Sequence, residues 1–155
     1  MSGLEGALNE IMADFKKKIE DVIPTIPPKI ATDLEPEFKK IISTAIDGFY
    51  YFPQGKFYKR TGNFNSVKDS VRVYGTSSSL IIYVGEDTMS SYPGMFNQPL
   101  DASTAFDYFY MNGEHGHGKW NIGYSYSPDK YVEDQSGYIE TLIGNSIGEI
   151  LNSLI

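Results

Sequence analysis

Apolar side chains recur along the start of the chain with helical spacing. Leu4, Leu8, Ile11, Phe15, Ile19 and Val22 stand three or four residues apart, which places them on one stripe of an α-helix. Ser2 is positioned to cap it, and Lys16, Lys17, Lys18 and Glu20 supply its solvated face. The run Ile23-Pro24-Thr25-Ile26-Pro27-Pro28 predicts the end of that helix, because proline has no amide to donate and restricts the residue before it. A second helix is predicted over 33–50. Thr32 or Asp33 caps it, Pro36 falls in its first turn, and Leu34, Phe38, Ile41, Ile42, Ala45 and Phe49 form its buried face. Pro53-Gln54-Gly55 marks its end.

The period then changes from helical to alternating. Val71 and Val73 alternate with Arg72 and Tyr74, which predicts a strand over 67–75. Thr76-Ser77-Ser78-Ser79 reads as a turn, and Leu80, Ile82 and Val84 alternate with Ile81 and Tyr83 in a second strand. The two make an antiparallel hairpin with a polar turn longer than the tightest type. Residues 90–101, with Pro93, Gly94 and Pro99, read as a long loop. Over 103–111 the apolar spacing is helical while the aromatic density favours a strand; the sequence does not decide. Asn112 to Gly118 reads as a glycine-rich loop, and 120–126 as a strand ended by Ser127-Pro128-Asp129. From Gly137 onward, Ile139, Leu142, Ile143, Ile147, Ile150, Leu151 and Leu154 share one face of a final helix. Its glycines Gly144 and Gly148 either admit a close backbone neighbour or lie loose on the surface. The order predicts a single α+β domain over 1–155, with a mainly antiparallel sheet packed by N-terminal helices and a C-terminal helix. Leu8, Phe15, Phe38, Ile42, Val71, Leu80, Ile82, Leu142 and Ile150 are its expected buried positions.

Composition narrows what such a domain does. A chain of 155 residues is of ordinary single-domain size. A net charge of −7 argues against a protein that wraps nucleic acid, although an acidic pore lets DNA slide past. The absence of cysteine removes disulfides, zinc thiolates and thiol nucleophiles, and fits synthesis in a reducing cytoplasm. Residues 1–14 lack the basic and apolar regions of a signal peptide, and no apolar run reaches the ~20 residues of a membrane span. Twelve tyrosines suit either protein contacts or the surface of a sheet.

Candidate chemistry is sparse. Glu114-His115-Gly116-His117 is the one cluster with metal-ligand residue types, but no third ligand stands at a compelling spacing and two glycines loosen the loop. There is no Gly-x-Ser-x-Gly elbow, no phosphate loop and no dinucleotide fingerprint. Neither catalysis nor a cofactor is expected. Lys56, Lys59, Arg60, Lys68 and Arg72 cluster in an otherwise acidic chain. They read as an interface patch for an acidic neighbour, as phosphate contacts in a DNA channel, or as a solvated strand edge.

One block is more specific. Phe57-Tyr58-Lys59-Arg60-Thr61-Gly62-Asn63-Phe64-Asn65-Ser66-Val67 joins a basic pair to a Thr-Gly-Asn turn, with glycine supplying a conformation other residues resist. It resembles the "Arg-Thr-Gly-Asn-Leu" block of the minor structural proteins that join head to tail in long-tailed bacteriophages, the tail-completion or neck family, with Phe64 in place of the usual leucine. Tyr108 to Gly116 is similar to that family's aromatic run before "Asn/Glu-Gly-x-His-Gly", while its Pro-Phe-x-x-Pro-Ala segment is missing here.

The resemblance implies an α+β ring subunit (hexamer or dodecamer) in the virion neck, made in the host cytoplasm. It implies contact with adjacent head-closure or adaptor and tail-terminator proteins, and DNA passing through the lumen without sequence-specific binding. On this reading the interface residues are Tyr58, Lys59, Arg60, Thr61, Gly62, Asn63, Arg72, His115 and His117. Another minor capsid or tail-terminator ring component, and a small protein-binding module from outside phages, are the competing readings.

Overall fold

The computed structural model describes residues 2–51, 62–92, 99–113 and 126–154. They form an α+β domain in the order α1 (Ser2–Val22), a 3-10 turn (Ile23–Thr25), α2 (Ile26–Tyr51), a 3-10 segment (Asn63–Ser70), β1 (Arg72–Gly75), β2 (Leu80–Tyr83), α3 (Ala102–Phe106), a π turn (Asp107–Met111), α4 (Pro128–Asp134) and α5 (Ser136–Asn152). Among the described residues the sheet has two antiparallel strands.

The organising element is α2, and it is longer than its sequence predicts. α1 ends at Val22 as expected, yet the prolines at 24, 27 and 28 do not stop the helical path. Pro24 opens the 3-10 turn, and Pro27 and Pro28 fall in the first turn of α2, where an amide has no helical partner to lose. Pro36, expected in a first turn, lies inside α2 and removes one ladder bond. Burial on successive turns compensates: Ile30, Ala31, Phe38, Ile41, Ile42, Ala45, Ile46 and Phe49 are all buried.

The predicted strand over 67–75 is half wrong, since residues 63–70 form a 3-10 segment and only Arg72–Gly75 is strand. Short polar side chains bond the local backbone there: the Ser66 hydroxyl donates to the Asn63 carbonyl at 2.7 Å and the Ser70 hydroxyl to the Val67 carbonyl at 2.8 Å. Such bonds favour a tight turn over a ladder. Phe64 and Val67, one 3-10 turn apart, then face inward together, exposed by only 1% and 0%. The hairpin itself is as predicted. Arg72 pairs with Tyr83, Val73 with Ile82, Tyr74 with Ile81 and Gly75 with Leu80, and the Thr76 amide closes the turn on the Ser79 carbonyl at 2.8 Å.

Residues 102–111 are helical. Asp101 caps α3 by accepting from the Thr104 amide at 2.8 Å and from its hydroxyl at 3.0 Å. The next turn widens to the π form, with the Asn112 amide donating to the Asp107 carbonyl, and Ala105, Phe106, Phe109 and Tyr110 are buried. The 90–101 loop is tied at its base by a bridge between Tyr92 and Leu100. The strand expected over 120–126 lies outside the described residues except for Tyr126, which belongs to no strand. Ser127-Pro128-Asp129 begins α4 instead of ending a strand: the Ser127 hydroxyl accepts from the Lys130 amide at 3.2 Å and Pro128 takes the first turn.

The core is an aromatic cluster. Phe64 sits 4.7 Å from Phe49 and 5.6 Å from Phe109, ring centre to ring centre, and Tyr92 meets Phe109 at 5.3 Å. Of the nine positions expected inside, Phe38, Ile42, Val71 and Ile150 are buried, and Leu80, Ile82 and Leu142 are half-buried. Leu8 and Phe15 are corrections, exposed by 59% and 44%. Periodicity shows which face of α1 is apolar, and here Leu8, Ile11, Met12 and Phe15 on that face stand exposed. Among the described residues, nothing outside α5's own backbone lies within 4 Å of a Cβ placed at Gly144 or Gly148.

Candidate interaction surfaces

The Thr-Gly-Asn turn is built as its sequence suggests on the side that is described. Gly62 takes φ 78°, ψ −3°, in the left-handed region that glycine enters without steric penalty. The Asn63 side chain does more than close a local turn. Its amide donates to the Ser90 carbonyl at 2.5 Å, and its carbonyl accepts from the Ser90 amide at 2.9 Å. Further along, the Ser66 hydroxyl shares its one proton between the Asn63 carbonyl and the Thr88 carbonyl at 2.8 Å, the Thr88 hydroxyl donates to the Ser66 carbonyl at 2.6 Å, and the Ser70 hydroxyl accepts from the Gly85 amide at 3.0 Å. The 3-10 segment is thereby stitched to residues 85–90, which fixes where the chain emerges from the preceding block.

Tyr58, Lys59, Arg60 and Thr61 lie outside the described residues, as do Lys56, Glu114, His115 and His117. The two remaining cations of the expected patch are engaged within the chain. Arg72 pairs with Asp87, and its guanidinium lies 5.2 Å from the centre of the Tyr83 ring. The Tyr83 hydroxyl donates to the same carboxylate at 3.0 Å, a bond that raises its pKa. Lys68 pairs with Asp47. Arg72, Tyr83 and Asp87 thus form a local network at one end of the hairpin.

Two apolar surfaces were not legible in the sequence. The first is a cleft of about 250 Å³ bounded by α2, β2, α3, the π turn, α4 and α5. Ile41, Ile82, Val84, Met111 and Val132 line it, and Asp129 stands on its wall. Asp129 makes no ion pair with any described residue. Its field, added to burial as the larger cause, raises the pKa of Tyr110, the other titratable group of the lining. An apolar lining with a single carboxylate suits an inserted apolar side chain better than acid–base chemistry.

The second surface is α1. Leu8, Ile11, Met12 and Phe15 are exposed by 59%, 64%, 62% and 44%, a continuous apolar stripe in solvent. Lys16 and Lys18 flank it, held by exposed helical ion pairs to Glu20 at 3.8 Å and Asp14 at 2.9 Å. A contiguous apolar stripe left in solvent marks a contact surface.

Among the described residues no group of three or more histidines and acids is placed to hold a metal ion, and no helix is long and apolar enough to cross a membrane. Comparison with protein-family models, with curated proteins and with solved structures finds no match.

Proposed function

We propose that this protein is a structural, non-enzymatic subunit of the head–tail junction of a long-tailed phage particle, closed with copies of itself into a tail-completion ring through which DNA passes. The observation that carries this reading is the bare apolar stripe of α1. A chain that leaves Leu8, Ile11, Met12 and Phe15 in solvent is built to be covered by another molecule.

The resemblance of the Arg60-Thr61-Gly62-Asn63 block supports the neck in particular, and the left-handed Gly62 with its Asn63 clamp gives that block a defined geometry at its described end. The charge of −7 supports passage without grip, since an acidic wall does not hold phosphates. The work of such a subunit is geometric: the domain keeps the ring rigid while its loops dock against the rings above and below.

The test is genetic. Removing the gene from the phage genome that carries it leaves filled heads and separate tails, with the other virion proteins made normally. Fully infectious particles without this chain, or a hydrolytic activity of the purified chain that depends on His115, rule the reading out.

A further inference from the structure

The bare stripe and the open cleft have complementary features. We propose that Phe15 of one copy, carried on α1, inserts into the cleft beside Asp129 of a second copy. The cleft is apolar and open to the surface, while α1 is apolar and uncovered. The lysines next to Phe15 also match the carboxylate of the cleft, although α1 as a whole is acidic. The stripe is flanked by Lys16 and Lys18, and their present pairs are exposed surface bridges that exchange at little cost. The cleft offers Asp129, which lacks an ion pair among the described residues.

The donor cannot be the same chain. Helical backbone runs from Ser2 to Tyr51 with only the 3-10 turn between α1 and α2, and both flanks of that turn keep right-handed helical angles. At ~1.5 Å of rise per residue, Phe15 lies on the order of 30 Å along this path from Phe38, which lines the cleft. An anionic lipid surface is a poorer occupant, because α1 carries five acids against three lysines.

Stripe-to-cleft contact is heterologous. Each copy gives one surface and receives the other, an arrangement that makes a ring when its rotation closes and a filament when it does not. The contact would supply the seam of the ring proposed above, but its argument rests on α1 and the cleft alone.

The chain has no cysteine, so introduced thiols report contacts cleanly. Met12→Cys marks the stripe one turn from Phe15 and leaves the anchor in place. Met111→Cys marks the cleft mouth at a residue 46% exposed. The two purified single variants, one carrying a size tag, are mixed and treated with a short thiol cross-linker. The expected product is a mixed dimer that needs both cysteines, and the double variant gives a ladder of multimers. Phe15→Ala in the Met12→Cys chain lowers the mixed product on the order of tenfold or more, as loss of a buried aromatic anchor does.

Dimers joined only through two Met12→Cys positions, a cross-link confined to one chain, or no cross-link over the accessible concentrations each overturn the proposal. Val132→Trp, which fills the cleft without touching α1, gives an independent reading: sedimentation shows lost association at unchanged circular dichroism, and unchanged association overturns it. A neck protein with another seam fails this test and passes the genetic one, so the two claims separate.

Discussion

Phe64 stands where the neck-family block has leucine, and its replacement tests the core directly. The side chain is 1% exposed, with ring centres of Phe49, Phe109 and Tyr50 at 4.7, 5.6 and 6.1 Å. Burying a phenylalanine contributes about 1.5–3 kcal/mol, and edge-on aromatic pairs add roughly 0.5–1.5 kcal/mol each. With the cavity left behind, Phe64→Ala is expected to lose ~3–5 kcal/mol. Against a domain stability of about 5–15 kcal/mol this is roughly a fifth or more of the total. Phe64→Leu keeps most of the volume and is expected to lose no more than ~1.5 kcal/mol. Urea titration followed by circular dichroism, at concentrations that keep the protein monomeric, reads both as shifts in midpoint at constant slope. If the alanine variant loses less than about 1 kcal/mol, or no more than the leucine variant, Phe64 is not the centre of a packed cluster and the reasoning fails.

Other expectations rest on single contacts. Gly113 has φ 67°, and a Cβ there would lie 2.0 Å from the Tyr126 carbonyl oxygen, so Gly113→Ala should destabilise by at least ~2 kcal/mol; thermal melting checks it. Phe15→Ala should change monomer stability by less than ~0.5 kcal/mol while weakening association, because that residue is 44% exposed. The Asp101 carboxyl is held below its ordinary value of 3.8, first by the Thr104 amide and then by its hydroxyl. A depressed folded pKa stabilises above the unfolded value, and that stabilisation fades as pH falls through the folded one. The stability gap between wild type and Asp101→Ala should therefore hold at neutral pH and shrink below pH 3.8, as an acid titration of both proteins would show.

The sequence was most legible where one pattern had one physical meaning. The period of α2 and the alternation of the hairpin each named a buried or half-buried face, and the Thr-Gly-Asn turn marked Gly62 for a conformation other residues resist, which is left-handed. Reading failed where short polar side chains redirected the backbone, as Ser66 and Ser70 do in the 3-10 segment. It also failed where a signal was present but taken the other way. Ser127-Pro128-Asp129 carries a capping serine, a first-turn proline and an early acid, which together start α4. Exposure of α1 was not readable at all, because periodicity is the same whether a stripe faces its own core or a neighbour's surface. The cleft was equally hidden, since it draws on six separate elements. Of the expected interface, Gly62, Asn63 and Arg72 have described places, while Tyr58 to Thr61, His115 and His117 do not.

The central claim is that copies of this chain close into a ring. Electron microscopy of the purified protein at high concentration, with mass measured on the same sample, tests it most directly. The account predicts closed rings of six or twelve copies of the 17.4 kDa chain around a channel wide enough for duplex DNA. A uniform population of monomers or of two-fold dimers at every concentration would contradict it.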